Sequence, residues 1–173
     1  MCEIREAMVK DASSIAEISI NSLGYQCDSN LVERRLKEMD SNTQKVFVAV
    51  ENNVVVGFVH VELYQLLYQP DLANVLGLAV REDMQKKGFG KKLMQYVERW
   101  AQEMNCDAVR LNSGMQRKEA HKFYKALGFE NTKAIQDAYK DMQKKVAVDY
   151  VDEGLRIRSS KSYVETNLGL FDV

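Results

Sequence analysis

The sequence predicts an α/β fold with a mixed, mostly antiparallel central sheet and helices on both of its faces. Two observations carry this. Apolar segments of strand length between Val46 and about Leu63 succeed one another through a tight turn, as in an antiparallel meander. From Val75 to Leu127 the order becomes strand, helix, strand, helix, which requires a crossover and hence a parallel pair. A chain of 173 residues is long enough for one domain with a core and short for two. Residues 1–173 are therefore expected as a single domain, with about 131–173 as an atypical C-terminal region.

Residues 2–9 alternate loosely, with Ile4 inward and Met8 and Val9 as further inward candidates, and read as a first strand. Asp11 is the expected cap of a helix whose apolar face is Ile15, Ile18 and Leu23, ended by Gly24. Asn30, with Glu33 three residues on, is expected to cap a second helix that shows Val32, Leu36 and Met39 on one face. A strand at 46–50 turns at Glu51-Asn52-Asn53 into an antiparallel return from Val54 to about Leu63. Gly57 inside the return signals a bulge or a close backbone approach. The aromatic stretch from Tyr64 to Tyr68 leads to a break at Gln69-Pro70-Asp71, and a strand from Val75 to Val80 follows.

Leu93, Val97, Trp100 and Met104 line one face of the next helix. Residues 107–111 form a short strand parallel to 75–80. Residues 117–127 form a helix with Ala120, Phe123, Tyr124 and Leu127 on one face and Gly128 beyond its end. Residues 131–145 have helical composition, and 146–151 and 160–168 are strand candidates. Residues 161–165 are favoured as part of the last sheet strand, with the residues before them as an insertion.

Between the 75–80 strand and its helix lies Gln85-Lys86-Lys87-Gly88-Phe89-Gly90, with Lys91 and Lys92 next. A strand, a glycine loop and a helix start together make a phosphate cradle. The first helical turn has free N–H groups and the positive end of the dipole. Glycines let an anion approach that backbone without a Cβ in the way. Two familiar nucleotide loops are excluded. A P-loop needs Ser or Thr after its Gly-Lys to hold magnesium, and Lys92 stands there. A dinucleotide fingerprint needs a third glycine, and Leu93 stands there.

Net charge is −1, so no global basic excess points to nucleic acid. The local cluster Lys86, Lys87, Lys91 and Lys92 points to a small polyanion instead. Cys2, Cys27 and Cys106 are odd in number and widely spaced, which speaks for reduced thiols in the cytoplasm and against a zinc or disulfide framework. No apolar run approaches the roughly 18–20 residues needed to span a bilayer, so no membrane partner is expected.

The pattern Gln-x-x-Gly-x-Gly after a strand resembles the acetyl-CoA pyrophosphate loop of the GNAT superfamily of N-acetyltransferases. Arg117-Lys118-Glu119-Ala120-His121-Lys122-Phe123-Tyr124, followed by Gly128-Phe129, resembles a later helix of the same family. Many members carry Asn where this chain has Arg117. The resemblance implies acetyl-CoA as co-substrate, an amine acceptor and no metal. It also implies a central parallel pair that splays, with Gly77 as the expected bulge. Backbone groups of Leu78, Ala79 and Val80 would then hold the pantetheine arm. Gln85, Lys86, Lys87, Gly88, Phe89, Gly90 and Lys91 would hold the pyrophosphate, with Arg117 and Tyr124 facing the cofactor.

Tyr124 is the implied general acid. The base is open between Glu62 and His60, which share a strand face, and Glu62 is favoured. A small-molecule amine is favoured over a protein acceptor. The alternative is a non-catalytic module of the same fold that binds CoA or docks a partner. The segment from Tyr64 to Tyr68 and the C-terminal residues are the candidates for a homodimer contact.

Overall fold

A computed structural model describes residues 3–114, 116–131 and 154–158. Seven strands form one sheet in the order β1-β2-β3-β4-β5-β7-β6. They are β1 (Glu3–Glu6), β2 (Gln44–Glu51), β3 (Val54–Leu66), β4 (Gln69–Val80), β5 (Ala108–Asn112), β6 (Phe129–Asn131) and β7 (Gly154–Arg158). The helices are α1 (Ala12–Ile18), α2 (Ser29–Glu38), α3 (Phe89–Glu103) and α4 (Lys118–Ala126). Among the described residues only β4 and β5 pair in parallel, so the expected mixed, mostly antiparallel sheet is what forms.

Period-2 alternation divides the side chains between two cores. On one face Phe47, Val59, Val61, Val75, Val109 and Leu111 pack against Leu93, Val97 and Trp100 of α3 and Tyr124 of α4. On the other, Val46, Val48 and Phe58 pack against Ile15 and Ile18 of α1, with Val32 and Leu36 of α2 half-buried over them. The stripes read for α1 and α3 are thus buried faces, and that of α2 is half-buried.

Several local expectations are corrected. The first strand ends at Glu6, and Met8 and Val9 are exposed. Asp11 does not cap α1 with its side chain. Its carboxylate accepts from Arg5 at 2.7 and 2.9 Å and from the Met8 amide at 2.7 Å, so a charged partner on β1 outcompetes the capping amides. Burial opposes that charge, but the Arg5 and Met8 hydrogen bonds outweigh it and hold the carboxyl below its usual range. Asp28, not Asn30, caps α2, accepting from the Asn30 amide at 3.0 Å. The break expected at Gln69-Pro70-Asp71 lies inside β4, because the β3–β4 hairpin turns at Leu67-Tyr68. Pro70 is tolerated there because the pairing register shifts between Tyr64 and Leu66. Residues 154–158, expected in an insertion, form β7 between β5 and β6. The strand and helix candidates at 132–151 and 160–168 lie outside the described residues.

Gly57 marks both features expected of it. The β2–β3 register shifts between Ala49 and Val50, which leaves Val56 as the extra residue beside it. A Cβ at Gly57 would sit 2.9 Å from the Ala79 carbonyl oxygen and 3.4 Å from Leu93 Cδ1. Backbone cannot swing aside as a flexible side chain does. Gly57→Ala should therefore cost about 1–3 kcal/mol as an overpacking change, read as a lower denaturant midpoint at unchanged slope.

Candidate active site

The site begins where β4 and β5 part. Their parallel pairing covers Leu72 to Val75 on β4 and Ala108 to Leu111 on β5, and stops. On its other edge β4 stays paired with β3 as far as Val80, after a shift in which His60 faces Gly77 and Val61 faces Val75. Leu76 is therefore the extra residue of a bulge. The bulge lies one position before the expected Gly77, because Gly77 keeps a cross-strand partner and Leu76 has none. Beyond it, no described strand pairs with the other edge of β4.

The groups on that edge follow from the antiparallel ladder. The Arg81 amide donates to the Val56 carbonyl at 2.8 Å, so odd-numbered residues here face β3 and even-numbered ones face away. The Val80 carbonyl confirms it, accepting from Ser22 Oγ and Gln85 Nε2, each at 3.1 Å. The amides of Leu78 and Val80 thus point into the gap, whereas Ala79 is committed to β3. Of the three strand residues expected to hold a pantetheine, two are oriented for it.

At one end of the gap stands the helix start. Lys86 has φ 60° and Gly88 φ 87°, so the loop reverses twice before α3. The first intrahelical bond runs from the Lys92 amide to the Gly88 carbonyl, which leaves the Phe89, Gly90 and Lys91 amides at the N-terminus. Gln85, Lys86, Lys87, Gly88 and Lys91 are exposed. Phe89 is only 5% exposed and its ring belongs to the core, so its amide alone can serve an anion. Gly90 lies at a close approach, since a Cβ there would come within 3.1 Å of Phe123 Cζ on α4. The fit to a pyrophosphate is good: outward amides, left-handed turns and the three lysines Lys86, Lys87 and Lys91 at the helix start.

Tyr124 lies in the α3/α4 core, against which Leu78 and Val80 also pack. Its ring meets Phe123 and Phe129 edge-on at 5.1 and 5.5 Å. Burial pushes its phenol up to about 12, partly offset by the nearby Arg117 charge. That shift makes Tyr124 a weaker acid than free tyrosine, against the modest help an acid role requires. Arg117 donates through Nη2 to the Leu23 carbonyl at 3.0 Å, bridging the start of α4 to the end of the turn after α1. Ser22 holds the tip of β4 in the same turn. Arg117 therefore has a structural partner that sequence reasoning missed, because the two residues are 94 apart in the chain.

The base candidates lie on the opposite face. His60 is opposite Gly77, and its Nε2 meets Gln44 Oε1 at 3.2 Å. Burial lowers its pKa below the usual histidine value, with the Glu62 charge opposing, so the ring is neutral at pH 7. Glu62 lies two residues further from the gap and accepts from Asn74 Nδ2 at 2.8 Å. The fold brings His60, more than Glu62, to the strand opening. His121 meets the Ser113 carbonyl at 3.4 Å, away from either candidate. Among the described residues no group of three or more His, Cys, Asp or Glu could hold a metal ion. No helix among them is long and apolar enough to cross a membrane.

A family model described as the acetyltransferase (GNAT) family matches residues 13–129. The chain belongs to that family. It is 26% identical over 137 residues to the aminoalkylphosphonate N-acetyltransferase of Salmonella typhimurium, covering 76% of this chain and 87% of that one. It is 24% identical over 136 residues to an aminoglycoside N(6')-acetyltransferase of Stenotrophomonas maltophilia, covering 76% and 88%. Its fold is also that of the PaiA N-acetyltransferase of Thermoplasma acidophilum, solved in complex with coenzyme A. There the TM-score is 0.64 at 17% identity, covering 92% of this chain and 99% of that one. The GNAT-like fold expected from the loop and the Ala120–Phe129 stretch is the fold observed.

Proposed function

We propose that this GNAT chain moves an acetyl group from acetyl-CoA to a primary amine by direct attack in a ternary complex. The observation that supports it best is the parting of β4 from β5 after Val75, with free amides along one edge and the α3 N-terminus at its end. Acetyl-CoA supplies the acetyl group as a thioester. The Phe89, Gly90 and Lys91 amides, with Lys86 and Lys87, hold its pyrophosphate, and Leu78 and Val80 hold the arm and polarise the carbonyl. The relative solved with coenzyme A and the two relatives named for small amines favour this cofactor and a small-molecule acceptor. A reducing, cytoplasmic setting suits the free thiols of Cys27 and Cys106.

Acid and base act from opposite faces of the sheet, through the gap. On the α1/α2 face His60 takes the proton of the incoming ammonium, directly or through Glu62 and water. On the α3/α4 face Tyr124 donates to the sulfur as the C–S bond breaks, and the second proton shed by the nitrogen as the amide forms returns to the phenolate. No chain nucleophile is needed: burial and the charges of Asp71 and Asp107 push the Cys106 thiol up to about 11, so it is not a thiolate at pH 7.

The test has two arms. Acetyl-CoA at a hundredfold excess over its Kd should stabilise the protein by about 2.7 kcal/mol, seen as a raised melting temperature. A panel of amines should give amine-dependent thiol release. Stabilisation without release by any amine would support a CoA-binding module instead, which the weakened acidity of Tyr124 and the Leu23 tie of Arg117 favour. Neither signal would end both readings.

A further inference from the structure

The α1/α2 face carries a cavity of about 530 Å³ that neither the phosphate loop nor the strand gap explains. Helix α2 creates it. The helix has an apolar stripe yet no fully buried residue, so it stands off the sheet rather than sealing onto it. Val32, Leu36 and Met39 form one wall, and Phe58 of β3 lies opposite. A volume in this range suits a small organic ligand.

The polar groups divide between the two ends. The exposed Glu38 and Asp40, with Arg35 beside them, belong to the outer rim. His60 lines the cavity from β3, directly across from Gly77. A Cβ at Gly77 would meet no heavy atom within 4 Å, so open space lies over the backbone next to the bulge. The cavity is lined from α1, α2, β2 and β3, and through His60 it reaches the strand position paired with Gly77, next to the bulge. A ligand seated there would set its inner end beside a neutral imidazole and its body against aliphatic and phenyl surface.

We infer that this cavity is the acceptor site, and that the acceptor is a primary monoamine on an apolar, aliphatic or aromatic body. The inference rests on the acetyltransferase reading and narrows its substrate class. The acidic rim draws the ammonium in. The apolar wall then rewards a hydrocarbon body, and the inner end has one imidazole to receive one proton. A polyhydroxylated polycation would leave its hydroxyl and further ammonium groups against Val32, Leu36 and Phe58 without partners, which disfavours it.

The experiment compares phenethylamine, hexylamine, spermidine and an aminoglycoside as acceptors for the full chain with acetyl-CoA. The two apolar amines should show kcat/KM at least tenfold above the others; the reverse order overturns the inference while leaving acetyl transfer intact. Leu36→Trp, which fills the cavity, should raise KM for phenethylamine at least tenfold. Leu36 is half-buried, so Leu31→Glu on the exposed lip serves as a second variant, expected to raise the same KM about threefold or more with the acetyl-CoA thermal shift retained. If both variants leave amine kinetics alone but change the mass seen by light scattering, a second copy covers this face and the inference fails. Calorimetry of phenethylamine into the protein loaded with coenzyme A separates the two readings. Binding without thiol release sinks the transferase reading but not the site, and release without binding here sinks the site.

Discussion

Tyr124→Phe is expected to lower kcat about 100-fold while acetyl-CoA affinity stays within about twofold, since a positioned general acid contributes roughly 10²–10⁴. The substitution removes one hydroxyl and keeps the ring, so the edge contacts to Phe123 and Phe129 survive and the fold is not at issue. Single-turnover measurement of thiol release checks it. Unchanged turnover would remove Tyr124 from the mechanism and leave it as a core residue.

The buried phenol makes a second readout available. Its pKa of about 12 lies above the ordinary 10, so the neutral form is held throughout the working range. The kcat profile should show no falling limb from Tyr124 below about pH 10. For stability, a phenol whose folded pKa is raised contributes fully below the unfolded value. That contribution is lost as pH rises through the folded one, here between 10 and about 12. The wild-type protein should lose stability across that window faster than Tyr124→Phe, measured by denaturant midpoints at each pH.

The second large effect is on stability. Leu93→Ala should cost about 3 kcal/mol, within the roughly 2–5 seen for buried leucines. At about 2–4 °C per kcal/mol for a domain of this size, that is a fall of the order of 10 °C in melting temperature. Leu93 is fully buried, and its Cδ1 would touch a Cβ at Gly57, at the close approach of β3, β4 and α3. A cavity there cannot collapse easily, because the sheet beneath is backbone in contact with backbone. α3 carries the phosphate loop on the same rigid body, so acetyl-CoA should rescue part of the loss. A loss below about 1 kcal/mol would mean that α3 docks more loosely than the buried surface implies.

Much of this was legible in the sequence because it is written in local periodicity. Leu93, Val97 and Trp100 repeat at helical spacing, and they are buried as read. The alternation from Val54 onward placed His60 and Glu62 on one face, and the ladder keeps them there. Gly24 and Gly128 end helices in left-handed conformations, as their positions indicated. Expectations failed where a distant partner outbid a local one. Asp11 went to Arg5 rather than to the helix start. Arg117 gained a partner at Leu23 that spacing does not show. Pro70 signalled a break, but the hairpin register absorbed it.

The sequence alone determined the glycine loop proposed as a phosphate cradle: Gln85 to Lys91 place two glycines and three lysines at a helix start, which is a property of neighbouring residues and needs no fold to be read. It determined the family for the same reason, since both motifs are contiguous. Only the tertiary structure decided on which faces the candidate acid and base lie. The bulge at Leu76 and the end of β4–β5 pairing at Val75 and Leu111 set Tyr124 on one face and His60 on the other, with Glu62 one step further back. Those are relations between strands that meet through non-local hydrogen bonds, and a shift of one residue in register, invisible in composition or spacing, reverses which side chains face the gap.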